Sequence, residues 1–314
     1  MLETHFVSQS LQRPARVSDG CGACMRVVRA SHLGMCFGVR RAIEKVLRAA
    51  AREPLTVLGD LVHNEAVLQR LADRGVRVRR ELDDVDTPAV AITAHGLSGK
   101  RRADVRARGL TVVDATCPIV KAAHRAVTAL VQGGFHPVIV GAEAHAEVRG
   151  LTEDLAEFDV VSNEADVEAL PPRPRFGVAA QTTEPIDRVR QLVAQLRRRH
   201  PRSEVRLTET VCVPTMLRQE AAEMLAAACD VVVVVGGARS NNTRELFATC
   251  GRHCRRVFLV QAPEDLRPEW FEGARVSGIT AGTSTPEDTI AGVEAALREF
   301  ASARSAPVAS QQNG

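Results

Sequence analysis

The sequence predicts an α/β fold of three similar units, related by a pseudo-threefold axis, with mainly parallel sheets. Three observations carry this. Short β-rich runs alternate with helical segments rich in Ala, Arg and Glu: LTVLG (55–59), AVAIT (89–93), TVVDA (111–115), PVIVG (137–141), FGVAA (176–180) and VVVVVGG (231–237). A design of β-leaning run, cysteine and helical stretch occurs three times, in VVRASHLGMCFGVRRAIEKVL, TVVDATCPIVKAAHRAVTAL and VRLTETVCVPTMLRQEAAEML. Each of these cysteines, Cys36, Cys117 and Cys212, is followed 23, 24 and 24 residues later by a glycine at a strand end, Gly59, Gly141 and Gly236.

In chain order, residues 1–25 read as a disordered tail without periodicity. The first α/β unit spans 26–117, and its opening stretch, 26–37, is free to pack on the third unit instead. After Gly59 come His63 and Glu65, four and six residues on, and AVAITAHGLS carries His95 at its tip. The second unit spans 118–208. Gly141 is followed at the same offsets by His145 and Glu147, and FGVAAQTTE ends on Gln181, Thr182 and Thr183. PPRPR (171–175) is a connector, because proline cannot join a central ladder. The third unit spans 209–300, with Ser240 and Asn242 after Gly236 and with Thr283 and Ser284 in SGITAGTST. Residues 301–314 are small, polar and aperiodic, a second disordered tail.

Bulk composition narrows the function classes. The 314 residues are 45% hydrophobic and 25% charged, as in globular proteins, with a net charge of +3. That balance is too mild for a dedicated nucleic-acid binder. No apolar run approaches a membrane span, and MLETHFVSQSLQRPAR lacks an apolar signal core, so a cytoplasmic protein is expected. Eight cysteines in such a chain point to metal binding, redox work or burial, not to a disulfide framework.

Three units around a pseudo-threefold axis bring equivalent strand ends, and hence the three thiols, to one centre. Three sulfur ligands are one short of a closed zinc site or a fully ligated iron–sulfur cube. A 4Fe–4S cluster with one iron free for substrate and a zinc with a water are both open on this reading. The loops around them offer neutral or positive donors, His63, His95, His145, Ser240, Asn242 and Ser284, several of them just before helices. Such a ring suits a phosphate or diphosphate. Glu147 stands apart, since a carboxylate beside an anion site is unfavourable unless it is protonated or passing a proton. It is the candidate acid.

The motifs GMCFGVRRAI, LVHNEAVLQRLADRGV, TAHGLSGKRRADVRARGLTVVDATCPIVKAAH, GAEAHAEVRG, AAQTTEPID, VCVPTMLRQEA, GGARSNNTREL and ITAGTSTPEDTI, in this order over about residues 26–297, resemble the 4-hydroxy-3-methylbut-2-enyl diphosphate reductase (LytB/IspH) family. The resemblance implies a trefoil of three α/β domains around one 4Fe–4S cluster per chain, held by Cys36, Cys117 and Cys212. It implies diphosphate binding by His63, His95, His145, Ser240, Asn241, Asn242 and Ser284, proton delivery by Glu147, and Thr182 near the substrate hydroxyl. It further implies reductive dehydroxylation of the allylic diphosphate to isopentenyl and dimethylallyl diphosphate, the last step of the methylerythritol phosphate route. Reduced ferredoxin or flavodoxin would supply the electrons. Two departures stand out: HAEV has Ala146 where the family usually has proline, and VCVPTMLRQEA has Leu217 where a polar residue is common. They motivate an alternative, a paralogous reductase of another allylic or phosphorylated substrate. A non-catalytic cluster-binding sensor is a further alternative, which the retained Glu147 and Thr182 disfavour.

Other candidates have plainer readings. The Cys21/Cys24 pair is read as incidental, Cys229 as core, and Cys250, Cys254 and His253 as burial or surface instead of ligands. His124 is expected to be a hydrogen-bonded structural residue. RRRH (197–200) reads as a solvated helix end, and Glu65 as a neighbour of the site without an assigned role.

Overall fold

The computed structural model describes residues 25–303. The Cys21/Cys24 pair and the expected disorder of both tails lie outside this range, apart from the tails' inner edges. Met25 is 2% exposed and belongs to a core, and the last helix continues to Ala303, so each tail begins slightly farther out than the sequence suggests.

The chain opens with β1 (Arg26–Arg29) and α1 (Phe37–Ala50), then β2 (Leu55–Leu58), α2 (Glu65–Ala72), β3 (Arg77–Arg79), β4 (Ala89–Ile92), α3 (Gly99–Ala107) and β5 (Thr111–Asp114). The next stretch is α4 (Pro118–Gln132), β6 (His136–Val140), α5 (Ala146–Thr152), β7 (Asp159–Val161), α6 (Glu164–Ala169), β8 (Arg175–Ala180), α7 (Ile186–Arg199) and β9 (Glu204–Leu207). The last is α8 (Val213–Ala228), β10 (Val231–Val235), α9 (Asn241–His253), β11 (Val257–Val260), β12 (Val276–Ala281) and α10 (Glu287–Ala303). Three four-stranded parallel sheets result, ordered β3-β2-β4-β5, β7-β6-β8-β9 and β11-β10-β12-β1.

Read in the same direction, the sheets are equivalent. Each fourth strand, β5, β9 or β1, leads into one of the three cysteines. The chain thus crosses from one unit to the next at Cys117 and Cys212. For the third sheet the fourth strand comes from the N-terminus, with Arg26 opposite Val276 and Arg29 opposite Ile279. Residues 26–29 therefore lie in the sheet of the third unit, while α1 packs on β2 and β5 of the first.

The sheets are covered on both faces, which is why their strands read as continuous apolar runs. In β10 the pleat sends Val231, Val233 and Val235 into the core under α10, with Ile290, Val293 and Leu297, while Val232 and Val234 face Ala222 and Leu246 of α8 and α9. Val138 and Val140 likewise oppose Ile139 across β6. The edge strands β3, β7 and β11 were not among the runs singled out in the sequence. They are short, and Arg77–Arg79 is largely polar, as suits an edge. Cys250 and Cys254 are buried beside Cys229, and Cys254 Sγ donates to the carbonyl of Arg256 at 3.4 Å. This trio fills core space.

Candidate active site

Parallel strands present all their carboxyl ends on one side, and loops there build sites in α/β proteins. Here the loops after β1, β2, β4, β5, β6, β8, β9, β10 and β12 converge on one central cavity with about 730 Å³ of free space, counting its mouth. Cys36, Cys117, Cys212, His63, His95, His145, Glu147, Thr182, Ser240, Asn241, Asn242 and Ser284 all line it.

Each cysteine occupies the N-cap of its helix, α1, α4 or α8, and none makes a side-chain capping bond. This breaks the usual rule, since Ser, Thr, Asp or Asn normally caps, as Asn64, Ser98, Asn163 and Ser240 do elsewhere. The thiols point inward instead. A Cβ built on Gly38 would lie 2.5 Å from Cys117 Sγ and 3.9 Å from Cys36 Sγ, so two sulfurs from different loops share the space a side chain would fill. Cys212 Sγ lies 2.9 Å from Thr215 Oγ1, a buried hydroxyl one helical turn on. Burial pushes the Cys212 thiol up to about 11 and raises Cys117, against the pull of the helix N–H groups. As free thiols they are protonated at neutral pH, and a metal centre would deprotonate them. Three soft donors, a glycine cradle and an open fourth direction fit a three-cysteine cluster.

Opposite the sulfurs stand three imidazoles. His63 and His95 stack at 4.4 Å between ring centroids, and His145 meets both edge-on at 5.3 Å. One ring nitrogen from each lies within 4.8 Å of the others. Burial holds all three below the ordinary histidine range, His145 down to about 3. His145 Nδ1 accepts from the Glu147 N–H at 3.1 Å, so its proton is on Nε2. His63 Nδ1, His95 Nδ1 and Asn242 Nδ2 are buried without a hydrogen-bond partner among the described residues.

Three converging imidazoles could take a divalent cation or an anion, and the donors beside them suit an anion. Asn242 Oδ1 is occupied by the Thr283 N–H at 2.9 Å, so its free Nδ2 can only donate. Ser240 caps α9, whose N-terminus brings partial positive charge. Arg239 and Arg244 extend that field to His63, where Asp60 and Glu65, the ion-pair partners of Arg239, oppose it. Ser284 Oγ reaches the His63 carbonyl at 3.4 Å, tying the third unit to the first. Asn241 lines the cavity, yet its amide is turned to Thr183 Oγ1 and Glu184 at 3.2 and 3.3 Å.

Glu147 is 2% exposed. Its carboxyl accepts from the Thr182 N–H at 2.7 Å and the Thr182 hydroxyl at 3.0 Å. Burial outweighs these bonds and pushes its pKa up to about 7. Gln181 does not line the cavity, as its amide donates to Thr183 Oγ1 at 2.7 Å.

Several expectations are refined. Glu65 is a neighbour of the site, acting on the charge of His63, but it lies outside the cavity wall, 3.1 Å from Arg239. In the first unit Asn64 takes the cap, so Glu65 is the first helical residue, whereas Glu147 is the second of its helix. One position turns a helical side chain by roughly 100°. Among the described residues His124 Nε2 has no hydrogen-bond partner, and it is buried against Gly96 and Gly150. Of RRRH, His200 is buried and only the arginines are solvated. The sequence reading passed over Thr215 and Gly38 as site residues. A signal for Thr215 existed: it is polar where the other two units carry Val39 and Val120, three residues past their cysteines.

Comparison with known proteins agrees. The family model described as LytB protein matches residues 27–298. A 4-hydroxy-3-methylbut-2-enyl diphosphate reductase of Pelobacter propionicus is 37% identical over 265 residues, 84% of this chain and 94% of the relative. A solved structure of (E)-4-hydroxy-3-methyl-but-2-enyl diphosphate reductase, described as the terminal enzyme of the non-mevalonate pathway, superposes with a TM-score of 0.63 at 34% identity, covering 88% of this chain and 100% of that one. The E-1-hydroxy-2-methyl-but-2-enyl-4-diphosphate reductase of Plasmodium falciparum gives 0.79 at 26% identity, covering 90% and 89%. With nearly the whole described chain matched in sequence and in the three-unit fold, the protein belongs to the LytB family.

Proposed function

We propose that this protein reduces 4-hydroxy-3-methylbut-2-enyl diphosphate to isopentenyl and dimethylallyl diphosphate. Cys36, Cys117 and Cys212 would hold one 4Fe–4S cluster. When bound, that cluster supplies the electrons and an iron with a free coordination position. Overall, the substrate's C–O bond breaks, two electrons and two protons enter, and the hydroxyl leaves as water. Reduced ferredoxin or flavodoxin is the proposed electron source, and the cytoplasm the proposed location; among the described residues no helix is long and apolar enough to cross a membrane.

The observation that carries this reading is one cavity holding three thiols, a ring of hydrogen-bond donors and a carboxyl poised near neutrality. The His63, His95 and His145 rings with Ser240, Asn242 and Ser284 would bind the diphosphate, and that remote binding orients the reacting carbon. Thr182, bonded to Glu147, would hold the substrate hydroxyl in register with the acid. Glu147 would deliver a proton to it. The paralogue alternative gains no support from its two departures. Ala146 and Leu217 are both absent from the wall of the central cavity.

Anaerobic reconstitution with iron and sulfide, followed by turnover with a chemical reductant, tests the proposal. Iron and sulfide near four each per chain, with both products released, are expected. An intact cluster without turnover of this diphosphate would overturn it.

A further inference from the structure

Arg218 is 9% exposed and sits one turn past Thr215 on α8. Its Nε and Nη2 donate to the carbonyl of Gly34 at 3.0 and 2.8 Å, and its Nη1 donates to the carbonyl of Pro214 at 2.8 Å. Gly34 precedes Cys36 by two residues and Pro214 follows Cys212 by two. One guanidinium therefore clamps the loop carrying one cysteine to the helix start carrying another, across 184 residues of sequence. The loop is already pinned on its other side, where the Gly34 N–H donates to Ala281 and the Cys36 N–H to Thr283.

Among the described residues Arg218 forms no ion pair with a carboxylate. Burial disfavours its charge, and the nearby sulfurs of Cys36 and Cys212, once deprotonated as ligands, would favour it. A buried cation satisfied only by carbonyls is costly unless negative charge lies close by. Arg218 does not line the cavity, so it does not touch substrate. Resting on the cluster reading above, we propose that Arg218 is a positioning residue that locks the Cys36 and Cys212 loops at cluster-binding distance and stabilises the reduced, more negative cluster with its buried charge.

Charge and clamp can be separated. Arg218→Gln removes the charge, and Arg218→Lys keeps it with fewer donors. The readout is the cluster's midpoint potential, from an anaerobic redox titration followed by electron paramagnetic resonance. Arg218→Gln should make reduction about tenfold less favourable, about 59 mV more negative for one electron, while Arg218→Lys stays near the parent. Both variants should lose iron to a chelator faster than the parent. An Arg218→Gln cluster at the parent potential would overturn the inference, as would an equal shift in Arg218→Lys. If Arg218→Gln holds no cluster, Arg218→Lys decides: a cluster at the parent potential supports the role, and none refutes it. Failure of the underlying cluster reading is seen separately, as unmutated protein that binds no iron and sulfide.

Discussion

Glu147 shows how a side chain becomes an acid at neutral pH. Two hydrogen bonds from Thr182 favour the carboxylate, but burial dominates and brings the pKa to about 7. Its ordinary value is 4.5. Between the two values the unfolded chain has released a proton that the folded chain keeps. The carboxyl's contribution to stability therefore falls as pH rises through that window. In the proposed role the protonated form is the donor, so kcat/KM should decline above about pH 7. Glu147→Gln should remove that limb and lower kcat by about 10²–10⁴-fold, with the cluster's spectrum unchanged; a pH–rate profile with paired spectra checks both. Asn242 makes a different kind of contribution. Its unpartnered Nδ2 is, on the proposed function, a neutral donor to the diphosphate, a bond worth about 1.5–3 kcal/mol. Asn242→Ala should weaken binding of inorganic diphosphate roughly 10–150-fold, measured by calorimetry on the apo protein.

At the scale of elements, the starts of helices carry the proposed site residues. Cys36, Cys117 and Cys212 stand where a capping hydroxyl or carboxyl would stabilise the helix by about 1 kcal/mol. Pro118 and Pro214 set two of these helices going without a cap, because proline is pre-organised for the first turn. The first turn of α1 must also leave room for sulfur, which Gly38 does. Gly38→Ala would put a methyl 2.5 Å from Cys117 Sγ. That variant should keep the parent's circular dichroism spectrum and lose most of its reconstituted iron. A full complement of iron in Gly38→Ala would refute the crowding argument.

For the whole molecule, the three sulfurs come from three chain crossings between units. A group bound to all of them cross-links the assembly and binds the folded state alone, so it adds to stability. Removing iron by chelation under anaerobic conditions should lower Tm by several degrees and speed proteolysis. Restoring iron and sulfide should reverse both effects. Without the group, the units are still joined: first to second by Ser98 to Glu153 and the Lys100 N–H to Asp154, second to third by Asn241 to Thr183 and Arg188 to Glu245, and third to first by Ser284 to His63 and Arg239 to Asp60 and Glu65. The Arg239 pairs are half-exposed and contribute little, so the bonds made by buried Ser98 and Asn241 carry more of the joining.

The sequence by itself determined the three-unit plan. The cysteine-to-glycine offsets and the apolar runs repeat locally, and periodicity is legible without a partner. It also named most of the polar residues that line the cavity, because those residues sit at strand ends, where every parallel strand delivers its loop. Tertiary structure alone decided that β1 completes the third sheet, since the run VVRA is compatible with either neighbour until Val276–Ile279 offers it an edge. It alone turned Glu65 outward and Glu147 inward, because one residue of cap position rotates a side chain by a quarter turn or more. And it alone disclosed Gly38 and Arg218, whose roles are spatial. A cradle for sulfur and a clamp across 184 residues leave no periodic trace in the chain.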